Sequence, residues 1–115
     1  MLPSSRRVTR KLFDTVLKSS HAFHSTHFSA RVSRLSDPLA PARLSVVVAS
    51  SVLRKAHDRN LLKRRARAVL EKQLPGMKNG FAAAFFAKKS AAHLDFAGIE
   101  TDIEILLRKA GLMVL

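Results

Sequence analysis

The sequence predicts an α+β fold in which three helices pack on a small sheet of three or four strands as a two-layer α/β sandwich. Three segments carry apolar residues at helical spacing, and three short segments have the composition or alternation of strands. They follow one another in the order α-β-β-α-β-α. The 115 residues suit one domain, so residues 1–115 are expected to form a single unit.

The N-terminal segment is expected to be a loose basic arm over residues 1–8, followed by a first helix over residues 9–18. Thr9 is a suitable N-cap for this helix because its hydroxyl can accept a hydrogen bond from a free backbone N–H group. The helix has an apolar stripe formed by Leu12, Phe13, Val16 and Leu17.

Two strands are predicted next, over residues 23–32 and 43–49. In the first, alternate apolar and small residues share one parity, and the second is the most β-branched stretch of the chain. Asp37-Pro38 and Pro41 mark a turn between them. The two strands are therefore expected to pair as an antiparallel hairpin.

The second half of the chain predicts a helix over residues 58–74, a strand over Phe81–Ala87 and a last helix over residues 99–110. The alanines of Phe81–Ala87 would also suit a helix, but the short length of the segment and the neighbouring Gly80 favour a strand. Asp58 is the expected N-cap of the long helix, and Pro75-Gly76 ends it. Gly111 suits the position after the last helix, where a left-handed backbone is common.

Charge indicates the class of partner. The sequence has 21 Lys and Arg against 8 Asp and Glu, a formal net charge of +13. Residues 1–72 hold 16 of those cations and 4 of the acids. Such an excess opposes compaction unless a polyanion neutralises it, and nucleic acid is the usual polyanion.

Several classes of protein are disfavoured by composition. The sequence has no cysteine, which excludes disulfides and thiolate metal sites. It has neither an apolar run near the roughly 18 residues of a membrane span nor a secretory signal pattern. We therefore expect a cytoplasmic protein without a membrane partner.

The long predicted helix carries a one-sided basic face. Arg59, Lys63 and Arg67 fall within an arc of about 80°, and Asn60 and Arg64 widen it to about 140°. A solvated helix face is the plainer alternative, but such faces usually mix charge signs for i,i+4 pairing. Like charges stacked at this spacing destabilise a helix unless phosphates neutralise them, so the pattern favours RNA or DNA binding.

The stretch RLSVVVASSVLRKAHDRNLLKRRAR resembles the central block of the bacterial ribonuclease P protein subunit. In that family an Arg-led apolar strand and a short linker precede a helix opening with Arg-Asn-x-x-Lys-Arg-x-x-Arg. The resemblance extends over residues 6–112, since Arg6, Phe13-x-x-Val16 and the LLRKAGL segment also suit the family. The matching helix positions are Arg59, Asn60, Lys63, Arg64 and Arg67.

The chain departs from the family at a turn and within the helix motif. Ala49-Ser50-Ser51 stands where a Ser-Lys-Lys-type turn is frequent, and Leu61 replaces a common Arg. In the family this turn lies close to RNA and bound metal ions. Arg54 and Lys55 are the residues we expect to supply the missing charge.

The resemblance implies a left-handed β-α-β crossover and a set of partners. The basic helix would bind ribonuclease P RNA, and a cleft would bind the single-stranded 5′ leader of precursor tRNA. Phe13, Phe28 and Arg6 are the candidates for that cleft, because aromatic faces stack unpaired bases. The plainer alternative for the two Phe residues is core packing.

Catalysis would belong to the RNA, making the chain the accessory subunit of a ribonucleoprotein endoribonuclease. The sequence offers no catalytic carboxylate pair, no protein metal site and no obligate protein partner, and Mg²⁺ would be bound mainly by the RNA. His21, His24 and His27 recur every third residue, a spacing unsuited to one metal-binding face. A small ribosomal protein is the alternative function; a self-sufficient nuclease is disfavoured because no acid or histidine cluster is visible.

Overall fold

The computed structural model describes residues 2–19 and 21–114 and has the predicted α+β fold. Short 3₁₀ turns lie at Ser4–Arg6, Leu74–Gly76 and Lys89–His93. In chain order the helices and strands are α1 (Arg10–Ser19), β1 (His21–His24), β2 (Phe28–Arg34), β3 (Arg43–Val47), α2 (Ala56–Gln73), β4 (Phe81–Ala87) and α3 (Phe96–Lys109).

The sheet has the strand order β1-β2-β4-β3. β2 is antiparallel to both of its neighbours, whereas β3 and β4 are parallel and joined through α2. The predicted hairpin between residues 23–32 and 43–49 is wrong, because β4 lies between β2 and β3. Residues 81–85 of β4 are all buried, as expected of a strand covered on both faces at the centre of a sheet. The handedness of the β3-α2-β4 crossover stays a prediction.

The predicted first strand is in fact two strands, β1 and β2, paired as a hairpin. Its turn is held by α3, since the buried carboxylate of Asp102 accepts hydrogen bonds from the Ser25 hydroxyl at 2.6 Å and the His27 backbone N–H at 3.1 Å. The ammonium groups of Lys88 and Lys109 donate to the carbonyls of Ser25 and His24. These partners lie far away in sequence, so local alternation could not reveal the break.

The main core lies between the sheet and the helices α2 and α3. Alternate residues of each strand point to this face, including Phe28, Leu44 and Phe85. From α2 it receives Leu62, Ala66, Val69 and Leu70. A smaller cluster forms on the opposite face, where Val16 of α1 packs on Ala82 and Ala84.

The expected loose arm is docked on the sheet over its described residues, 2–8. Leu2 is 2% exposed, Arg7 forms a parallel bridge with Leu44, and the Val8 N–H donates to the Leu44 carbonyl at 3.2 Å. An edge strand leaves unpaired backbone groups, and this segment pairs with part of the β3 edge. The prediction of a loose arm is therefore wrong there; Met1 lies outside the described residues.

Two predicted capping residues agree with the structure, and two helix starts differ from the predictions. Thr9 does accept a hydrogen bond from the Leu12 N–H at 3.2 Å, and Gly111 has a φ of 70° after α3. Asp58, however, is not the N-cap of α2, which begins at Ala56; it lies in the first turn, where its charge still suits the helix dipole. α3 begins earlier than expected because the Asp95 side chain caps it.

Candidate nucleic-acid interface

The outer side of α2 carries the predicted basic face. Because the apolar residues of α2 pack against the sheet and α3, its opposite side is left to solvent. Asn60, Arg64 and Arg67 are exposed there and Lys63 is half-buried. The structure therefore brings four of the predicted residues onto one surface, which we call the α2 face.

Towards the C-terminal end of α2, acids of α3 partly neutralise its positive charge. There the Lys72 ammonium forms an ion pair with Glu100 of α3 at 2.9 Å, and this hydrogen bond raises the pKa of Lys72. Glu104 of α3 accepts a hydrogen bond from the Gln73 amide at 3.1 Å. Glu100 and Glu104 of α3 thus bind to the last turn of α2, while the surface around Arg64 stays positively charged.

Arg59 was predicted to lie on the exposed basic face, but its side chain contacts the protein backbone instead. Its side chain is half-buried, and its guanidinium Nη1 donates to the carbonyl oxygens of Leu53 at 2.9 Å and Arg54 at 2.5 Å. These bonds hold the linker between β3 and α2 against the first turns of the helix. Arg54 and Lys55 on that linker are both exposed, so Arg59 positions two cations beside the α2 face.

The two aromatic residues proposed for a common cleft lie on opposite faces of the sheet. Phe28 is 0% exposed and belongs to the core under α2 and α3. Phe13 of α1 packs on the other face against Phe86, with ring centroids 6.4 Å apart. The prediction for Phe28 is therefore wrong, because a fully buried ring cannot stack on a base.

Phe86 is not among the residues predicted for the cleft, although the sequence contains a signal for it. Phe85 and Phe86 are consecutive in a strand, and neighbouring strand residues point to opposite faces. One of the two rings must therefore leave the main core. Phe86 does so and is half-buried beside Phe13.

Other residues of the sheet face that packs against α1 lie around this aromatic pair. In register with Phe86 are Ser29 on β2 and Val47 on β3, both half-buried. Leu17 is 39% exposed, one turn after Phe13, and Arg31 is exposed on the same sheet face. We call this surface, made by Phe13, Leu17, Ser29, Arg31, Val47 and Phe86, the α1 cleft.

Arg6 does not join the aromatic pair. Its guanidinium Nη1 donates to the carbonyl of Ala42 at 3.1 Å, just before β3. Arg43 similarly donates to the carbonyl of Arg7 at 2.9 Å. The contacts of Arg6 therefore serve the docking of the N-terminal arm.

Neither a metal site nor a membrane span is found among the described residues. Among residues 2–19 and 21–114, no three His, Asp or Glu side chains lie close enough together to hold a metal ion. The His27 ring instead bonds to the Ser90 hydroxyl at 2.8 Å. Nor does any helix in the described part of the chain have the length and apolar character needed to cross a membrane.

Comparison with known proteins gives consistent results. A model of the ribonuclease P family matches residues 2–111. The ribonuclease P protein component of Microcystis aeruginosa is 28% identical, covering 97% of this chain and 96% of that protein. The solved ribonuclease P protein of Staphylococcus aureus has a similar fold, with a TM-score of 0.84, 18% identity and coverage of 96% of this chain and 99% of that one. For the protein from Thermotoga maritima the TM-score is 0.77 and the identity 22%, over 89% and 96% of the two chains.

Proposed function

The chain belongs to the ribonuclease P family, and from that membership we propose how it works as the protein component of this ribonucleoprotein endonuclease. It associates with ribonuclease P RNA, which carries the catalysis. The observation that supports its RNA-binding role most directly is the α2 face, where Asn60, Lys63, Arg64 and Arg67 stand together on a helix whose other side is buried.

The α2 face is proposed to bind ribonuclease P RNA. Lys63 and Arg67 lie one turn apart, and like charges at this spacing destabilise an isolated helix by about 0.2–0.5 kcal/mol. Phosphates remove that repulsion, and the release of their counterions adds affinity. The exposed amide of Asn60 can donate and accept hydrogen bonds between the cations. Arg54 and Lys55, held in place through Arg59, extend the same surface.

The α1 cleft is proposed to bind the 5′ leader of precursor tRNA. Unpaired nucleotides bind to surfaces that combine aromatic or apolar platforms with nearby cations. Phe13 and Phe86 supply the aromatic part, and Arg31 supplies a cation on the same face. The leader is single-stranded, so its bases are free to stack there.

Mg²⁺ is proposed to be bound mainly by the RNA partner. The net charge of +13 would lower the repulsion between ribonuclease P RNA and precursor tRNA. The protein would thereby reduce the Mg²⁺ concentration at which the two RNAs assemble. Since the substrate is precursor tRNA, a cytoplasmic place of action is part of the same proposal.

Reconstitution tests this function. The protein is mixed with bacterial ribonuclease P RNA and precursor tRNA at low Mg²⁺, and 5′ cleavage is measured. Stimulated cleavage is expected. Binding without stimulation would favour a non-catalytic RNA-binding protein such as a small ribosomal protein, and cleavage without the RNA would indicate a self-sufficient nuclease.

A charge variant tests the α2 face within that experiment. Arg64→Ala combined with Arg67→Ala is expected to weaken binding to ribonuclease P RNA and to reduce its salt dependence by about two units of slope. Lys89→Ala combined with Arg108→Ala removes the same charge from exposed positions elsewhere and is the matched control. Equal losses in both variants would contradict the assignment of this face.

A further inference from the structure

A groove of about 880 Å³ lies at the end of the sheet where β2 ends and β4 begins. Its floor is apolar and includes Phe23, Val32 and Phe81. Phe23 is half-buried, so part of its ring remains open to the groove. Neither the α2 face nor the α1 cleft includes these residues.

The rim of this groove is cationic. Arg34, Lys78 and His21 line it and are all exposed. No carboxylate is found among its described lining residues, and the nearby Asp37 accepts a hydrogen bond from the Leu39 N–H within its own turn. An aromatic floor with a cationic rim and no acid is complementary to unpaired nucleotides, because bases stack while phosphates meet the cations.

The groove lies at the end of the sheet away from the α2 face, and this position indicates which RNA could bind there. α2 follows β3, so the first turns of α2 lie at the sheet end marked by Val47 and Phe86. The groove lies at the other end, where Arg34 pairs with Phe81. Ribonuclease P RNA on the α2 face would therefore bind away from it.

The α1 cleft and the groove share strand β2. Arg31 borders the cleft, and Arg34 borders the groove three residues further on, about 10 Å along the strand. Phe23 and Val32 of the groove lie on the sheet face opposite to the cleft, and the edge strand β1 carries His24 on the cleft face and His21 at the groove. A single strand that leaves the cleft and passes around this edge would come to the groove.

We propose that the groove binds nucleotides of the 5′ leader that lie further from the cleavage site than those in the α1 cleft. This assignment rests on the proposed function, since it takes the leader to occupy the cleft. The groove extends the leader-binding surface around the β1 edge and makes affinity depend on leader length.

Leader length gives the test. Holoenzyme reconstituted with ribonuclease P RNA is titrated with two precursors, one with a short leader that ends within the cleft and one with a longer leader. Wild-type protein is expected to bind the longer leader more tightly. Arg34→Ala combined with Lys78→Ala should remove that difference and lower the salt slope for the longer leader by about 1.4, at about 0.7 per phosphate of a single strand. Binding of the short-leader precursor should stay unchanged.

Two further variants make the outcome specific. Lys89→Ala combined with Arg108→Ala removes equal charge outside the groove and should keep the gain from the longer leader. Phe23→Leu keeps an apolar side chain but removes the ring, and should weaken binding of the longer leader about five-fold or more. Thermal unfolding of each variant is measured in parallel to show that the fold is retained.

The contrary outcomes separate the groove from the cleft. Equal weakening of both precursors by the groove variant would assign its cations to ribonuclease P RNA or to the tRNA body and overturn the proposal. A wild-type holoenzyme that gains nothing from the longer leader would overturn it as well. A holoenzyme that binds the short-leader precursor no better than the RNA alone refutes the proposed function instead.

Discussion

Replacing Arg59 separates a residue that contacts RNA from one that holds the surface in shape. The Arg59 guanidinium donates two hydrogen bonds to the carbonyls of Leu53 and Arg54. Each is worth about 1 kcal/mol at this half-exposed position. Loss of both makes the observed linker conformation about 30-fold less favourable, and loss of one about five-fold.

Arg59→Lys keeps the charge but cannot reproduce both bonds of the planar guanidinium. We expect it to weaken binding to ribonuclease P RNA about five-fold, and Arg59→Ala about 30-fold, because binding must first restore the linker. The dependence of affinity on salt concentration should hardly change in either variant. In the bound complex the linker is back in its observed conformation, so Arg54 and Lys55 still contact the RNA.

Arg67→Lys is the matched control, since Arg67 is exposed on the α2 face and its charge is kept. The Arg67→Lys variant should bind RNA about as tightly as the wild type if Arg67 contacts phosphate through its charge alone. Titration of labelled RNA over a series of salt concentrations measures both quantities, and amide hydrogen exchange over residues 50–55 reports the linker directly. Wild-type affinity in Arg59→Lys, together with a slope about one unit lower in Arg59→Ala, would refute the positioning role.

Three further predictions concern other parts of the fold. Phe86→Leu should weaken leader-dependent binding about five-fold or more while leaving binding to ribonuclease P RNA alone unchanged; an equal effect on both would contradict the α1 cleft. Asp102→Ala removes a buried carboxylate that accepts two hydrogen bonds. It should lower the free energy of unfolding by about 2–4 kcal/mol in urea titrations. Glu100→Ala, which breaks only a surface ion pair, should lower the free energy of unfolding far less, and equal losses would rule out the bracing role of Asp102. Gly80→Ala should lower the melting temperature more than Gly111→Ala, because both have positive φ but a Cβ at position 80 would lie 2.6 Å from the Pro38 carbonyl, while position 111 is open.

The helices and the basic surface followed closely from the sequence because both depend on local spacing. Apolar residues at three- and four-residue intervals fix which side of α2 is buried, and the cations must then lie opposite. The strand assignments 43–49 and Phe81–Ala87 were also confirmed within a residue or two. Gly111 was placed correctly because few residues other than glycine favour a positive φ.

Strand pairing was not predictable in the same way. The turn between residues 34 and 43 suggested a hairpin, yet β4, which follows β3 by more than 30 residues, lies between the two strands. The composition of β4 showed that it is buried but not which strands flank it. Likewise the break at Ser25 depends on a carboxylate 77 positions away.

By itself, the sequence determined the fold class, the basic face and the class of partner. Net charge can be counted from the sequence directly, and helical periodicity depends only on residues that are close in sequence. The tertiary structure decided which aromatic ring lies outside the main core: Phe28 is buried there and Phe86 lies beside Phe13 on the other face. It also decided that Arg59 braces a linker and that a cationic groove forms where β2 ends. The physical reason is that each depends on contacts between segments distant in sequence, and such contacts exist only once the sheet has assembled.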